Sequence, residues 1–142
     1  MNIYDCFMYF DEDLLLDIRL NILNKYVKKF VITESTFLHS GKSKKLNFDI
    51  NKFTKFKDKI IYIVVDKPPI GIEEIKSSDS VFIKNKKILD NSLKRENNQR
   101  NRQIEGLEDA NDNDLILSSD LDEIPNLKDF SFKNKITLFN QK

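Results

Sequence analysis

Apolar residues along this chain gather in four short runs, and the stretches between them change period from one to the next. "IYDCFMY" (3–9) is dense in aromatic and branched residues and predicts a strand. "DEDLLLDIRLNILNKYV" (11–27) follows, with acids crowding its first turn and Leu15, Ile18, Ile22 and Tyr26 recurring at helical spacing. "KFVITES" (29–35) predicts a second strand, and residues 36–49 form a polar, irregular stretch with Gly41 as its flexible point. "FTKFKDK" (53–59) fits a short helix leading into a third strand, "IIYIVVD" (60–66), which Pro68 and Pro69 end. Residues 71–91 mix charges without a clear period. A helix fits 91–110, with Leu93, Ile104, Leu107 and Ala110 as its apolar footholds, and "DLILSS" (114–119) predicts a fourth strand.

Strands alternating with helices indicate an α/β domain with a mainly parallel sheet. The third and fourth strands are continuously apolar, as expected where helices cover both faces. Such sheets bind ligands beyond the carboxyl ends of their strands. Three of the predicted strands end in acids, at Glu34, Asp66 and Asp120, which a parallel sheet would bring towards one edge.

Composition narrows the classes. With 142 residues the chain fits a single domain, 1–142, and 39% hydrophobic with 33% charged residues describes a soluble globular protein. Its 24 basic and 23 acidic residues leave a net charge of +1, which argues against nucleic acid as a partner, since that needs a basic excess on one face. The clusters "KSKK" (42–45) and "KNKK" (84–87) read as solvated surface. One cysteine, Cys6, and one histidine, His39, exclude a disulfide framework or a Cys/His zinc site within the chain. Cys6 lies in an apolar run and suits a buried small hydrophobe; His39 reads as an ordinary loop histidine. No basic leader precedes the first apolar run, and "IIYIVV" (60–65) is far shorter than the ~20 residues a bilayer takes. A cytoplasmic chain without a membrane segment is the expectation.

Candidate chemistry sits in "LILSSDLDEIP" (115–125), where an apolar strand runs into three closely spaced carboxylates. Such acids repel, so a positive group belongs between them. Asp120 and Asp122 are two residues apart and share a side of an extended backbone. Hard carboxylate oxygens in that arrangement suit Mg²⁺ or Mn²⁺, completed by substrate phosphate oxygens. A solvated turn is the commoner fate of Asp-x-Asp taken alone. An EF-hand loop starting at Asp109 fails, because its required glycine is Asp114 and its closing glutamate is Asp120. A phosphatase with an Asp-x-Asp nucleophile would need later strands that do not follow Pro125.

Several segments together resemble glycosyltransferase family 17, the β-1,4-mannosyl-glycoprotein β-1,4-N-acetylglucosaminyltransferases. They are "YDCFMYFDEDLLLDIRLNIL" (4–23), "FVITEST" (30–36), "HSGKSKKLNF" (39–48), "DKIIYIVVD" (58–66), "RENNQRNRQIEGL" (95–107) and "ANDNDLILSSDLDEIP" (110–125), in colinear order. The resemblance implies a Rossmann-like fold of the GT-A type, incomplete at its C-terminus. It implies a UDP-sugar donor, UDP-N-acetylglucosamine above all, a glycan or glycoprotein acceptor as in protein N-linked glycosylation, and a single inverting displacement. Asp120 and Asp122 would hold Mn²⁺ or Mg²⁺ against the donor diphosphate, easing its departure. Arg100 would reach the diphosphate and Asn101 a ribose or sugar hydroxyl. The plainer reading of Arg100 is an i,i+4 surface pair with Glu96. Asp5, Glu34 and Lys42 are weaker donor-binding candidates, Asp5 having a structural hydrogen bond as its alternative. Glu123 reads equally as a site residue and as an acid at a helix start.

The family extends well beyond the Asp-x-Asp motif, so the resemblance places the acceptor side and the general base outside this chain. Within it, Glu123 and Asp129 are the only weak candidates for a base. Binding of a UDP-sugar with little transfer is the expected behaviour. Two rivals stand beside a transferase: a non-catalytic nucleotide-sugar-binding remnant, and a metal-dependent nucleotidyltransferase-like enzyme.

Overall fold

A computed structural model describes residues 1–139. Four strands, β1 (Ile3–Met8), β2 (Lys29–Ser35), β3 (Ile60–Val65) and β4 (Leu115–Ser118), form one sheet in the order β3-β2-β1-β4. Every pairing is parallel, with Asp5 opposite Phe30 on one side and Leu117 on the other. This is the expected α/β architecture, a small Rossmann-like sheet. The chain lays β2 and β3 to one side of β1, then crosses back to place β4 on the other. Strand order therefore reverses between β1 and β4, and in doubly wound sheets the ligand crevice opens at that reversal.

Period-two alternation divides β1 between two layers. Phe7 and Tyr9 join Phe30, Ile32 and Leu117 in the larger core beneath helix α1 (Asp13–Leu23). Tyr4 and Cys6 point the other way, joining Val31 and Ile63 in a smaller cluster that Leu107 and Ala110 cover. On that second face lies α2 (Val81–Asn101), followed by a 3₁₀ segment (Arg102–Leu107). Gly106 makes the close approach possible: a Cβ there would meet Val31 Cγ1 at 2.4 Å. An alanine would force an overpacked contact into the layer.

Three helical expectations need correction. The buried face of α1 is Leu16, Arg19, Leu20 and Leu23, whereas Ile18 and Ile22 are 39% and 47% exposed. The run Leu14-Leu15-Leu16 permits either register, and the charged Arg19 hid the true one. The second helix starts at Val81, ten residues before the expected 91. Ser80 caps it, its hydroxyl accepting from the Ile83 amide at 3.3 Å. Of its expected footholds, Leu107 and Ala110 pack on the smaller cluster, but Leu93 and Ile104 are exposed, and Asn91, Gln99, Gln103 and Gly106 are buried. Polar side chains anchor this helix by hydrogen bonding. Asn91 exchanges two bonds with the Glu73 backbone, and Gln99 donates to the Thr33 carbonyl at 3.0 Å. The short helix expected at 53–59 is part of a longer 3₁₀ segment, Ile50–Lys59, kinked at Phe53.

Candidate active site

At the reversal between β1 and β4, a cavity of about 660 Å³ opens at the carboxyl edge of the sheet. Tyr9 and Phe10 enter it from the end of β1, and Phe37, Leu38, His39 and Lys44 from the loop after β2. Glu96 and Gln99 close it from α2, and Asp120, Leu121 and Asp122 from the turn after β4. Aromatic walls with a few charged groups are the usual composition of a small-molecule site.

The acidic turn is tightly built. The Glu123 carboxylate accepts from the Asp120 amide at 3.1 Å, and the Glu123 amide donates back to the Asp120 carbonyl at 3.1 Å. Leu121 is buried, while Asp120, Asp122 and Glu123 are exposed. Beneath the turn lies Arg19, with no exposed surface. Its Nε and Nη2 donate to the two carboxylate oxygens of Asp5, at 2.9 and 2.8 Å. Nη2 also donates to Ser119 Oγ at 2.7 Å, and Nη1 to the carbonyls of Asp120, Leu121 and Glu123 at 2.8, 3.0 and 3.2 Å. Burial pushes the Asp5 carboxyl above its ordinary range, and the Arg19 hydrogen bonds and charge pull it back.

Arg100 approaches from α2. Its Nη2 lies 3.1 Å from Asp120 Oδ1 and 3.4 Å from Glu96 Oε1. The surface pair expected with Glu96 and the reach towards the acidic turn therefore coexist in one side chain. A positive group does stand beside the carboxylates, and it is this guanidinium.

Glu34 is fully buried, away from the acidic turn. One of its oxygens accepts from Lys44 Nζ at 2.5 Å and the Asn47 amide at 2.8 Å; the other accepts from the Phe48 amide at 3.1 Å and Tyr62 Oη at 2.7 Å. It clamps the loop that carries Lys44 to the cavity. Lys42 is exposed on the same loop and does not line the cavity. Asn101, the last residue of α2, is exposed outside it, as is Asp129, whose φ is 57°. Asp66 follows β3, the strand farthest from β4, so it shares an edge with Asp120 without approaching it. Cys6 is buried and its thiol is pushed up to about 12, which removes it as a nucleophile at neutral pH.

The model of glycosyltransferase family 17 matches residues 1–137. The chain belongs to that family. No curated protein and no solved structure matches it. Membership makes it a glycosyltransferase, with a sugar donor and an acceptor as its substrates. No helix among the described residues is long and apolar enough to cross a membrane. Asp120 and Asp122 line the cavity with Arg100 bonded to Asp120 beside it, and Asp5 and Glu34 are fully buried.

Sequence reasoning missed Arg19 and Lys44. An arginine inside an apolar helical run, fourteen residues after an aspartate inside an apolar strand, was the available signal for the first. Lys44 was hidden in a basic cluster of surface type. The donor set suits a divalent cation. Asp120 and Asp122 offer exposed hard oxygens at the cavity mouth, and no group of three or more His, Cys, Asp or Glu ligands occurs among the described residues. Two carboxylates completed by water and substrate oxygens is the Mg²⁺ and Mn²⁺ pattern, whereas Ca²⁺ and Zn²⁺ sites draw on more protein ligands. Arg100 uses one acceptor position on Asp120, and a carboxylate has about four.

Proposed function

We propose that this glycosyltransferase binds a nucleoside-diphosphate sugar, UDP-N-acetylglucosamine in the first instance, across the crevice between β1 and β4. It passes the sugar to a hydroxyl of a glycan. The observation that carries the reading is the coincidence of the acidic turn, Arg100 and a cavity of about 660 Å³ at the point where strand order reverses. Asp120 and Asp122 would hold Mn²⁺ or Mg²⁺, which when bound stabilises the charge of a departing diphosphate. Arg100 supplies a further fixed positive charge, able to bond a phosphate through two N–H groups. Tyr9, Phe10 and Phe37 offer apolar faces for a base or sugar ring.

In a single inverting displacement, the acceptor oxygen forms a bond to the anomeric carbon as the carbon–phosphate oxygen bond breaks. The acceptor proton then passes to a carboxylate within about 2.6–3.2 Å. Of the two candidate bases in this chain, Glu123 stands on the acidic turn and Asp129 lies outside the cavity.

A thermal melt with UDP-N-acetylglucosamine and Mn²⁺ tests the reading. Donor at 100 times its dissociation constant should stabilise the fold by about 2.7 kcal/mol, a rise of very roughly 5–10 °C. Asp122→Ala should remove the Mn²⁺-dependent part while keeping the ligand-free melt, because an exposed carboxylate contributes little packing. Equal stabilisation with Mn²⁺ and with chelator would overturn the metal assignment. No response to any nucleotide-sugar would overturn the donor assignment. Transfer to a mannose-containing glycan, assayed beside the melt, separates a working enzyme from a binding remnant.

A further inference from the structure

The guanidinium of Arg19 uses all five of its N–H groups, and their distribution is unusual. The paired bonds to Asp5 fix the plane of the group, because both partners are planar and both are fully buried. Once that plane is fixed, Nη1 can point in one direction only, and there three carbonyls of the acidic turn converge on it. Phe7 backs the group, with the guanidinium carbon 4.7 Å from the ring centroid. Asp5 is itself held by the central strand, in register with Phe30 and Leu117. Position is therefore passed from the rigid middle of the sheet, through Asp5 and Arg19, to the backbone of residues 120–123.

Drawing those carbonyls inward has a consequence for the side chains. Leu121 is carried into the core, while Asp120 and Asp122 line the cavity. Without the arginine only the Ser119 hydroxyl and the Glu123 amide would remain to donate to those three carbonyls, and the turn would loosen. We propose that Arg19 is a positioning residue. Touching neither cation nor donor, it holds the Ser119–Glu123 turn in the shape that gives Asp120 and Asp122 their affinity for the divalent cation. This rests on the metal assignment made above. Groups that orient metal ligands commonly change affinity 10–100-fold when replaced.

The test compares Mn²⁺ binding, followed by the electron paramagnetic resonance of free Mn²⁺ in the presence of UDP, with amide hydrogen exchange across the turn. Arg19→Lys keeps the positive charge for Asp5 but has three donors in place of five and no plane. It should bind Mn²⁺ at least tenfold more weakly, and the Glu123 and Ile124 amides, both bonded within the turn, should exchange faster. Asp5→Asn with Arg19→Met removes both buried charges together. A merely structural role predicts that this double variant, once folded, binds Mn²⁺ like the parent; the positioning role predicts a melt near the parent's with weak Mn²⁺ binding. Ser119→Ala removes one acceptor of the clasp from the half-buried end and serves if the core variants do not fold. It should raise turn exchange and weaken Mn²⁺ binding by a smaller factor. Folded variants that bind Mn²⁺ within twofold of the parent overturn the proposal and leave the metal assignment standing. Absence of Mn²⁺ binding in the parent chain overturns the metal assignment and this proposal with it.

Discussion

Asp5 and Glu34 sit on neighbouring strands, on the same face of the sheet, and both are fully buried. Each holds a loop at the cavity, by different means. Glu34 acts directly: two backbone amides, a lysine and a tyrosine hydroxyl all end on its oxygens. Asp5 acts through an intermediary, giving both oxygens to Arg19, which then gathers the acidic turn. The difference follows from what each loop presents. The acidic turn offers carbonyl oxygens, which a carboxylate cannot bond without a donor between them. The Lys44 loop presents donors, so Glu34 needs no such bridge.

The largest effect should come from breaking the bridged arrangement. Arg19→Met leaves a buried carboxylate without a partner and should cost about 3–5 kcal/mol, measured by denaturant unfolding. The penalty falls on the ionised form. Burial already raises the folded pKa of Asp5, and loss of Arg19 raises it further, so the deficit should be full at neutral pH and shrink as pH falls towards about 4. Asp5→Asn in the same chain should restore most of the loss. A deficit that is independent of pH would mean that packing, not charge, is what Arg19 supplies.

Glu34→Gln tests the direct arrangement and should do less damage. The fold of the loop survives the loss of charge in part, because one carbonyl oxygen remains to accept. The other oxygen becomes an amide that faces donors, leaving one backbone N–H and one side-chain donor unpaired at about 1–3 kcal/mol. The Mn²⁺ binding proposed at Asp120 and Asp122 should be unaffected, since Glu34 bonds the 44–48 loop and Arg19 the acidic turn. Weakened Mn²⁺ binding in this variant would show the two supports to be one network.

Smaller still is Tyr62→Phe, which removes one of four donors from Glu34 and should cost about 0.5–1.5 kcal/mol. Burial and the neighbouring Glu34 carboxylate both raise the Tyr62 phenol above its ordinary pKa. Ultraviolet titration of the phenols should show one group moving back towards the ordinary range in Glu34→Gln. An unchanged titration curve would remove Tyr62 from the clamp.

Strand positions were legible in the sequence because each strand is short, apolar and bounded by turn chemistry; β2 runs over the residues expected, Lys29–Ser35. The Asp-x-Asp motif was legible because it is a local pattern, whereas Arg100 was singled out only through the family resemblance. What escaped notice was carried by polar residues in the core. Helical periodicity counts apolar positions, so it passed over Arg19 on α1 and over Asn91, Gln99 and Gln103 beyond Val81. Arg19, Asn91 and Gln99 are stable inside because their partners lie far along the chain: Asp5, the carbonyls of Asp120, Leu121 and Glu123, the Glu73 backbone and the Thr33 carbonyl. A single sequence displays no such pairings, so a fixed support such as Asp5 looks the same as a ligand-binding acid.

The smallest expected effect comes from a third acid that repeats the amide-binding chemistry of Glu34 without the burial. Asp114 precedes β4 at the opposite edge of the sheet. It accepts from the Asn2 amide at 2.6 Å and the Asn111 amide at 3.1 Å, tying the starts of β1 and β4 together. Those bonds hold its carboxyl well below the ordinary carboxylate range. A folded pKa below the unfolded one stabilises the fold above the unfolded value, near 3.9, and that contribution is lost as pH falls through the folded value. Asp114→Asn should therefore lower the melting temperature slightly at neutral pH. The gap to the parent should narrow below about pH 4, where the unfolded parent takes up a proton that the folded carboxylate still excludes. Salt should narrow it as well, because the group is open to solvent, whereas the Arg19 and Glu34 deficits should resist salt. Melts over pH 2–7 at low and high ionic strength decide the matter. A gap that widens on acidification would reverse the assigned sign, and one insensitive to salt would place Asp114 with the buried supports instead of apart from them.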